Sequence, residues 1–243
     1  MEGKMSNQSR KNKRKRHQVY EGIRCASALT FISGYVNTFT FMTQGRRFAG
    51  VQTGNVMYLA IRIAEKNYLQ ALDFLLPIFF FMLGQSFAYF AHRWVNKHHL
   101  PWHLLASVLL TAIALVTSLV TPFTSQFITV SALAFFASIQ VDTFKSLRGA
   151  NYANVMMTGN IKNAAYILTK GLYEKNKELI LIGRNTLIII MTFILGVICS
   201  SFLSYRFGEM ALMAMLLPLG YVNYLLLVEY LYIQRKIKPI VGG

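Results

Sequence analysis

The sequence predicts an all-α, polytopic helical membrane protein. Of its 243 residues, 54% are hydrophobic and only 14% are charged, and the mean hydropathy is +0.41. A soluble domain carries about 25% charged residues, so this chain has too few polar side chains to cover a water-facing surface. The apolar runs do not alternate and are too long for barrel strands. Lipid is therefore the expected surrounding of most of the chain.

Eight apolar segments follow one another with short gaps between them. A helix needs about 20 apolar residues to cross the bilayer core, and six segments reach that length while the second and the sixth fall short. Trp94, Trp102 and Tyr205 stand at segment ends, as in the aromatic belts of membrane proteins. The segments cover residues 19–42, 48–63, 69–94, 102–120, 127–147, 153–168, 179–205 and 208–233.

The positive charge is concentrated at the amino terminus and in the gaps. The formal net charge is +16, and we interpret residues 1–17 as a disordered, basic cytoplasmic tail. Lys and Arg beside a first span hold that end in the cytoplasm, and they also bind anionic lipid headgroups. We therefore expect the lipid bilayer, and not nucleic acid, as the partner of this tail. A shorter basic tail is predicted at residues 235–243.

An internal repeat appears when the chain is shifted by 105 residues. Residues 36–39 then fall on residues 141–144, and the Thr-Gly-Asn at 53–55 falls on a second Thr-Gly-Asn at 158–160. Each half continues with a long segment that contains Leu-Gly, at 83–84 and at 195–196. We predict a first membrane repeat over 18–120 and a second over 121–234, each of long, short, long and long helices. Such duplications are common in transporter folds.

The two short segments leave two topologies open. If they are re-entrant, the protein has six spans and inverted halves; if they cross the membrane, it has eight spans and parallel halves. Lys and Arg prefer the cytoplasmic side, and the uncharged gap 121–126 lies outside in the six-span alternative. This favours six spans, although residues 44–68, with four cations, would then also lie outside.

The repeated Thr-Gly-Asn predicts a polar site. Gly tolerates unusual dihedral angles, and Thr and Asn side chains hydrogen-bond the backbone groups that a broken helix leaves free. A helix that starts after such a break also presents free N–H groups and a positive dipole end. The alternative is helix packing, since small residues let membrane helices approach. The candidate residues are Thr53, Gly54, Asn55, Thr158, Gly159 and Asn160.

Asn37 and Asp142 occupy matching positions in the first and fifth segments. An acid inside a span is costly and is by default a functional hypothesis, so we add both residues to the predicted substrate-binding site. The alternative for Asp142 is an ion pair with Lys145, one turn further on. Cys25 and Cys199 have no nearby ligand cluster, and no nucleotide or protease motif is present. We therefore expect no catalytic residue, metal or cofactor.

The arrangement of these motifs resembles a known family. Gly34 to Phe39 (Gly-Tyr-Val-Asn-Thr-Phe), followed by the two Thr-Gly-Asn motifs, is similar to the YoaK-like bacterial membrane proteins, the domain of unknown function 1275. In that family the first motif usually reads Gly-x-x-Asp-x-x-x-Phe, and here Asn37 replaces the acid. The resemblance implies a multi-pass protein of the bacterial cell membrane and supplies no function.

Three hypotheses follow. The first is a small-solute transporter or channel whose site, at the repeat interface, takes a small polar or anionic solute. The second is a non-transporting membrane scaffold or lipid-binding protein that uses the basic tail. The third and weakest is an intramembrane enzyme dependent on Asp142, which lacks a catalytic constellation, so we expect no enzymatic activity.

Overall fold

A computed structural model of the chain describes residues 18–148 and 150–237, so the predicted tail at 1–17 and residues 238–243 lie outside the described part. The prediction of an all-α protein is confirmed, because eight α-helices account for most of the described residues. A two-residue hairpin, β1 (Ser146–Leu147) and β2 (Ala150–Asn151), is the one sheet there. The helices are α1 (Ile23–Thr43), α2 (Gln52–Ala64), α3 (Tyr68–Lys97), α4 (Trp102–Val120), α5 (Gln126–Thr143), α6 (Met157–Tyr173), α7 (Lys177–Phe207) and α8 (Leu216–Ile237).

Helices α1 and α5 form the centre of the bundle. More than half of the residues in each are buried, and their large apolar side chains, such as Phe39 and Phe136, have almost no exposed surface. Both helices also bury many Ser, Thr, Asn and Gln side chains. Because buried polar groups need hydrogen-bond partners, these two helices determine where the polar interior of the protein lies.

The central helices each pack most closely against a helix from the other half of the chain. Helix α1 packs against α7, and α5 packs against α3; α1 also contacts α8, and α5 contacts α4. The approach is closest at glycines, since a Cβ at Gly34 would overlap Phe193 O and a Cβ at Gly196 would overlap Phe31 O. Small residues permit such backbone-to-backbone contact between helices.

Contacts between distant residues define the two ends of the bundle. At the first end, the ring of Tyr20 stacks on that of His103 with centroids 3.5 Å apart, and Val19 N–H donates to the Glu229 carboxylate at 2.8 Å. This end therefore holds the start of α1, the start of α4 and the carboxyl-terminal part of α8. At the second end, Gln126 Nε2 donates to Thr43 O at 3.2 Å, which places the end of α1 beside the start of α5.

The short helices α2 and α6 are each followed by a turn of the same sequence, at one end of the bundle. Their 13 and 17 residues correspond to about 20 and 26 Å, shorter than a bilayer core of about 30 Å. Glu-Lys-Asn follows both helices, with Lys66 and Lys175 at φ of 58° and 52°. Asn67 and Asn176 then cap α3 and α7 by accepting from backbone N–H groups.

Three helical stretches are long and apolar enough to cross a membrane: Tyr68–Lys97, Trp102–Phe123 and Lys177–Arg235. The last includes both α7 and α8. Their outer surfaces carry exposed Leu, Ile, Phe and Met side chains, and large apolar surfaces of this kind are normally in contact with lipid or protein. The chain thus has the helices of a membrane protein.

Candidate functional site

The loop before α2 is held against α1 by Asn37. Its Oδ1 accepts from the N–H groups of Gly50, at 2.8 Å, and Val51, at 3.1 Å, while its Nδ2 donates to Ser33 O at 2.8 Å. These N–H groups belong to the two residues that immediately precede α2. Asn37 is only 4% exposed, so it satisfies backbone groups that would otherwise be buried without a hydrogen bond.

The asparagines of the two Thr-Gly-Asn motifs have matching contacts. Asn55 Nδ2 donates to Phe48 O at 2.7 Å, and Asn160 Nδ2 donates to Ala153 O at 2.7 Å, each seven residues earlier. Asn55 also accepts from Phe48 N–H at 3.0 Å and donates to Gln52 Oε1 at 2.9 Å. The corresponding contact of Asn160 is a weaker one, to Met157 Sδ at 3.8 Å. Both asparagines therefore fix the loop that enters their helix.

The loop before α6 is attached to α5 by a different residue. Asn154 is fully buried, and its Nδ2 donates to Phe144 O at 2.9 Å and to Gln140 O at 3.3 Å. Gln140 in turn donates to Ser33 Oγ at 2.8 Å and Leu29 O at 3.0 Å on α1. In the first half the helix supplies the attaching side chain, whereas in the second half the loop does.

The two entry loops meet inside the bundle. A Cβ on Gly50 would overlap Val155 Cγ1 and would lie 3.3 Å from Asn37 Nδ2. The starts of α2 and α6 therefore come together beside α1 and α5. Two polar atoms near this junction, Gln140 Oε1 and Thr143 Oγ1, are buried without a hydrogen-bond partner among the described residues.

The remaining predicted residues lie outside this junction. Thr53 and Thr158 are exposed. A Cβ on Gly54 would meet the ring of its own loop's Phe48 at 2.7 Å, and one on Gly159 would meet nothing within 4 Å. At Gly159, α6 therefore makes no close contact with another helix.

Asp142 faces Lys145. The carboxylate and the ammonium group are 3.5 Å apart, and the Asp142 side chain is 26% exposed. Within the described residues, no hydrogen bond joins Asp142 to Asn37 or to either Thr-Gly-Asn motif. The contact that is present is the ion pair expected from the spacing of the two residues.

A narrow cavity lies beside Asn160, between α6, α7 and the hairpin. The space that the centre of a water molecule can reach is about 20 Å³, which is enough for one water-sized group. Asn185 of α7 is 4% exposed and has no hydrogen-bond partner among the described residues. The cavity is lined by Leu147, Arg148, Tyr152, Asn160, Asn163, Ile167, Ile182, Asn185 and Thr186.

The wall formed by Tyr152 is rigid and neutral. Its hydroxyl donates to Ala26 O at 2.9 Å and contacts the Thr30 hydroxyl. Burial raises the pKa of the Tyr152 phenol far above its ordinary value, because the charged form is disfavoured away from water. Among the residues that line the cavity, Arg148 is therefore the one that carries a formal charge.

Sequence reasoning missed Asn154, Asn163, Asn185 and Thr186. The available signal was the isolated Asn185 within the apolar run after residue 179, since a polar group in a span is costly. The described residues contain no group of three or more His, Cys, Asp or Glu side chains that could hold a metal ion.

The protein is of the class of helical proteins with membrane-type helices. Two of its short helices meet inside the bundle. A family model described as "Protein of unknown function (DUF1275)" matches residues 25–225, and the chain belongs to this family. The resemblance seen in the sequence is thereby confirmed. Neither a curated protein nor a solved structure matches the chain.

Proposed function

We propose that the protein is a multi-pass protein of the bacterial cell membrane that binds and moves a small polar solute. The observation that carries the proposal is the polar cavity beside Asn160, which is lined by Asn185, a residue 4% exposed that makes no hydrogen bond to another described residue. Membrane proteins seldom keep an unpaired polar side chain in a span unless it serves a ligand or pathway. The substrate site then comprises this cavity and the neighbouring junction of Asn37, Asn55 and Asn160, and we propose no enzymatic role.

Six spans and inverted halves are part of the same proposal. The turn after α2 belongs to the second end, because Asp73, early in α3, pairs with Arg47 at 2.8 Å just after α1 ends. The turn after α6 belongs to the first end, because Ile189 of α7 packs with Ala26 near the start of α1. The two turns therefore lie at opposite ends, as re-entrant short helices in inverted repeats require. The first end, near residue 18, is the cytoplasmic side.

The helix packing supports the duplication. If α1 to α4 correspond to α5 to α8, the α1–α7 contact corresponds to α5–α3, and α2–α3 corresponds to α6–α7. The contact of α4 with α8 is its own equivalent, which is the property of a pair that lies on a two-fold axis. We propose the boundary near residue 120 on the basis of this correspondence.

Transport is tested with purified protein in liposomes that are loaded with radiolabelled polar solutes, including amino acids, small organic acids and inorganic anions. We expect flux of at least one solute, and we expect Asn185→Leu, which fills the cavity, to abolish it. Asn96→Leu, at an exposed site near the end of α3, is the matched control and should retain full flux. Absence of flux across the panel, or equal flux in the two variants, would contradict the proposal.

A scaffold role is the second candidate, and one observation favours it. The amide groups of Asn37, Asn55 and Asn160 all hydrogen-bond within the chain, as purely structural residues would. This alternative predicts that deletion of residues 1–17 removes the cellular phenotype while Asn185→Leu leaves it intact. The transporter proposal predicts the reverse.

A further inference from the structure

The first half contains a buried ion pair that the second half lacks at the corresponding positions. In the first half, Arg47 and Asp73 form an ion pair at 2.8 Å, with the arginine side chain only 11% exposed. The pair joins the loop before α2 to the first turns of α3. A buried cation is stable when a carboxylate stands beside it, so the first half contains its own charge partner.

The second half has lost both members of this pair. Asn185 lies as many residues before Gly196 as Asp73 lies before Gly84, so an amide replaces the acid. When the chain is shifted by the 105 residues that relate the Thr-Gly-Asn motifs, Arg47 falls on Tyr152. A tyrosine therefore replaces the arginine. The Tyr152 hydroxyl is already engaged with Ala26 O and Thr30. Asn185 makes no hydrogen bond to another described residue, and it lines the cavity.

A cation is nevertheless present at this place. Arg148, in the hairpin turn, lines the same cavity. Its backbone N–H donates to Glu21 O at 3.0 Å, and the neighbouring Leu147 is buried, so the turn is anchored to the bundle. Among the described residues, no carboxylate oxygen lies within 4 Å of the Arg148 side-chain nitrogens.

We propose that the cavity binds a small monoanion, of halide size or the carboxylate group of a small acid, between Arg148 and the amide of Asn185. The anion supplies the negative charge that Asp73 supplies in the first half. Guanidinium and amide N–H groups are suitable donors for it. The reachable space of about 20 Å³ is enough for one small group. This inference rests on the proposed function, because it names the class of solute for the same site.

The test measures the thermal midpoint of the detergent-purified protein against sodium chloride and sodium acetate, at ionic strength held constant with sodium methanesulfonate. We expect a saturable rise of the midpoint for the unchanged protein. Arg148→Gln should weaken the apparent affinity at least tenfold. Arg93→Gln, at an exposed arginine of α3, removes the same charge and should leave the response unchanged.

Asn185→Asp is a second test variant, which adds a negative charge to the cavity, whereas Arg148→Gln removes a positive one. The new carboxylate would pair with Arg148, so we expect a higher midpoint without salt and loss of the response to chloride and acetate. Equal responses in the unchanged protein and Arg148→Gln would overturn the anion site. Binding without flux in liposomes would overturn transport alone, whereas flux of neutral solutes without any anion response would overturn the anion site alone.

Discussion

Asn55 and Asn160 occupy equivalent positions and differ in what they contact. Asn55 is fully buried and makes three hydrogen bonds, two of which satisfy both backbone polar groups of Phe48. Asn160 satisfies one carbonyl and otherwise contacts a sulfur atom. The repeated motif is thus more strongly structural in the first half, while in the second half it borders the cavity.

The first prediction follows from this difference. Asn55→Ala should lower the free energy of unfolding by about 2–3 kcal/mol, because two backbone groups lose their partner, and Asn160→Ala by about 1 kcal/mol. Denaturant unfolding of the purified protein in detergent, followed by tryptophan fluorescence, measures both values. A larger loss for Asn160→Ala than for Asn55→Ala would show that the motif is not used in this way.

At the scale of the elements, the contact between α1 and α7 depends on two glycines. Gly34 and Gly196 each face the backbone of the opposite helix, with no room for a Cβ. The contact joins the two halves, so its tightness determines how well the central helices close around the polar junction.

Gly196→Ala should therefore separate α1 from α7 and lower the thermal midpoint by several degrees, since overpacking typically costs about 1–3 kcal/mol. Gly220→Ala is the matched control, because Gly220 lies in α8 with nothing within 4 Å of its Cβ position. Alanine has the higher helix propensity, so this control should be neutral or slightly stabilising. Equal destabilisation by both changes would argue against the close approach.

The sequence predicted the elements well and the cavity poorly, for physical reasons. Hydropathy located all eight helices, because lipid-facing and core-facing segments both require apolar runs. The start of the eighth was predicted eight residues too early, since residues 208–215 form a 3-10 helix and α8 begins at Leu216. The entry loops could be expected from Gly and Asn alone. The position of Arg148 and Asn185 in the lining of one cavity could not, because these residues are distant in the chain and come together only through packing of α6, α7 and the hairpin.

At the scale of the whole molecule, the proposed six-span topology makes a direct prediction. In a variant without Cys25 and Cys199, single cysteines at Glu65 and Glu174 should react from opposite sides of the membrane. Both sites are exposed and have ordinary backbone angles near the end of the short helices, and neither is a helix-capping asparagine. Labelling of intact cells with a membrane-impermeant maleimide is expected at Glu65→Cys and absent at Glu174→Cys.

Permeabilised cells provide the control for this labelling, because both cysteines should react there. Labelling of both sites in intact cells, or of neither, would instead favour eight spans and parallel halves. In that case α2 and α6 would cross the membrane, and the proposed inverted arrangement of the two halves would have to be abandoned.

The packing of α1 against α7, and of α3 against α5, joins the two halves of the chain. This has a consequence for biogenesis. When the ribosome has released only the first 120 residues, α1 has no α7 to cover it, and the Ser33 hydroxyl lacks Gln140, its hydrogen-bond donor from the second half. The first half cannot make its contacts with α5, α7 and α8 during its own synthesis. We infer that the chain matures only after translation ends, so that stalled or truncated chains are targets for membrane quality control.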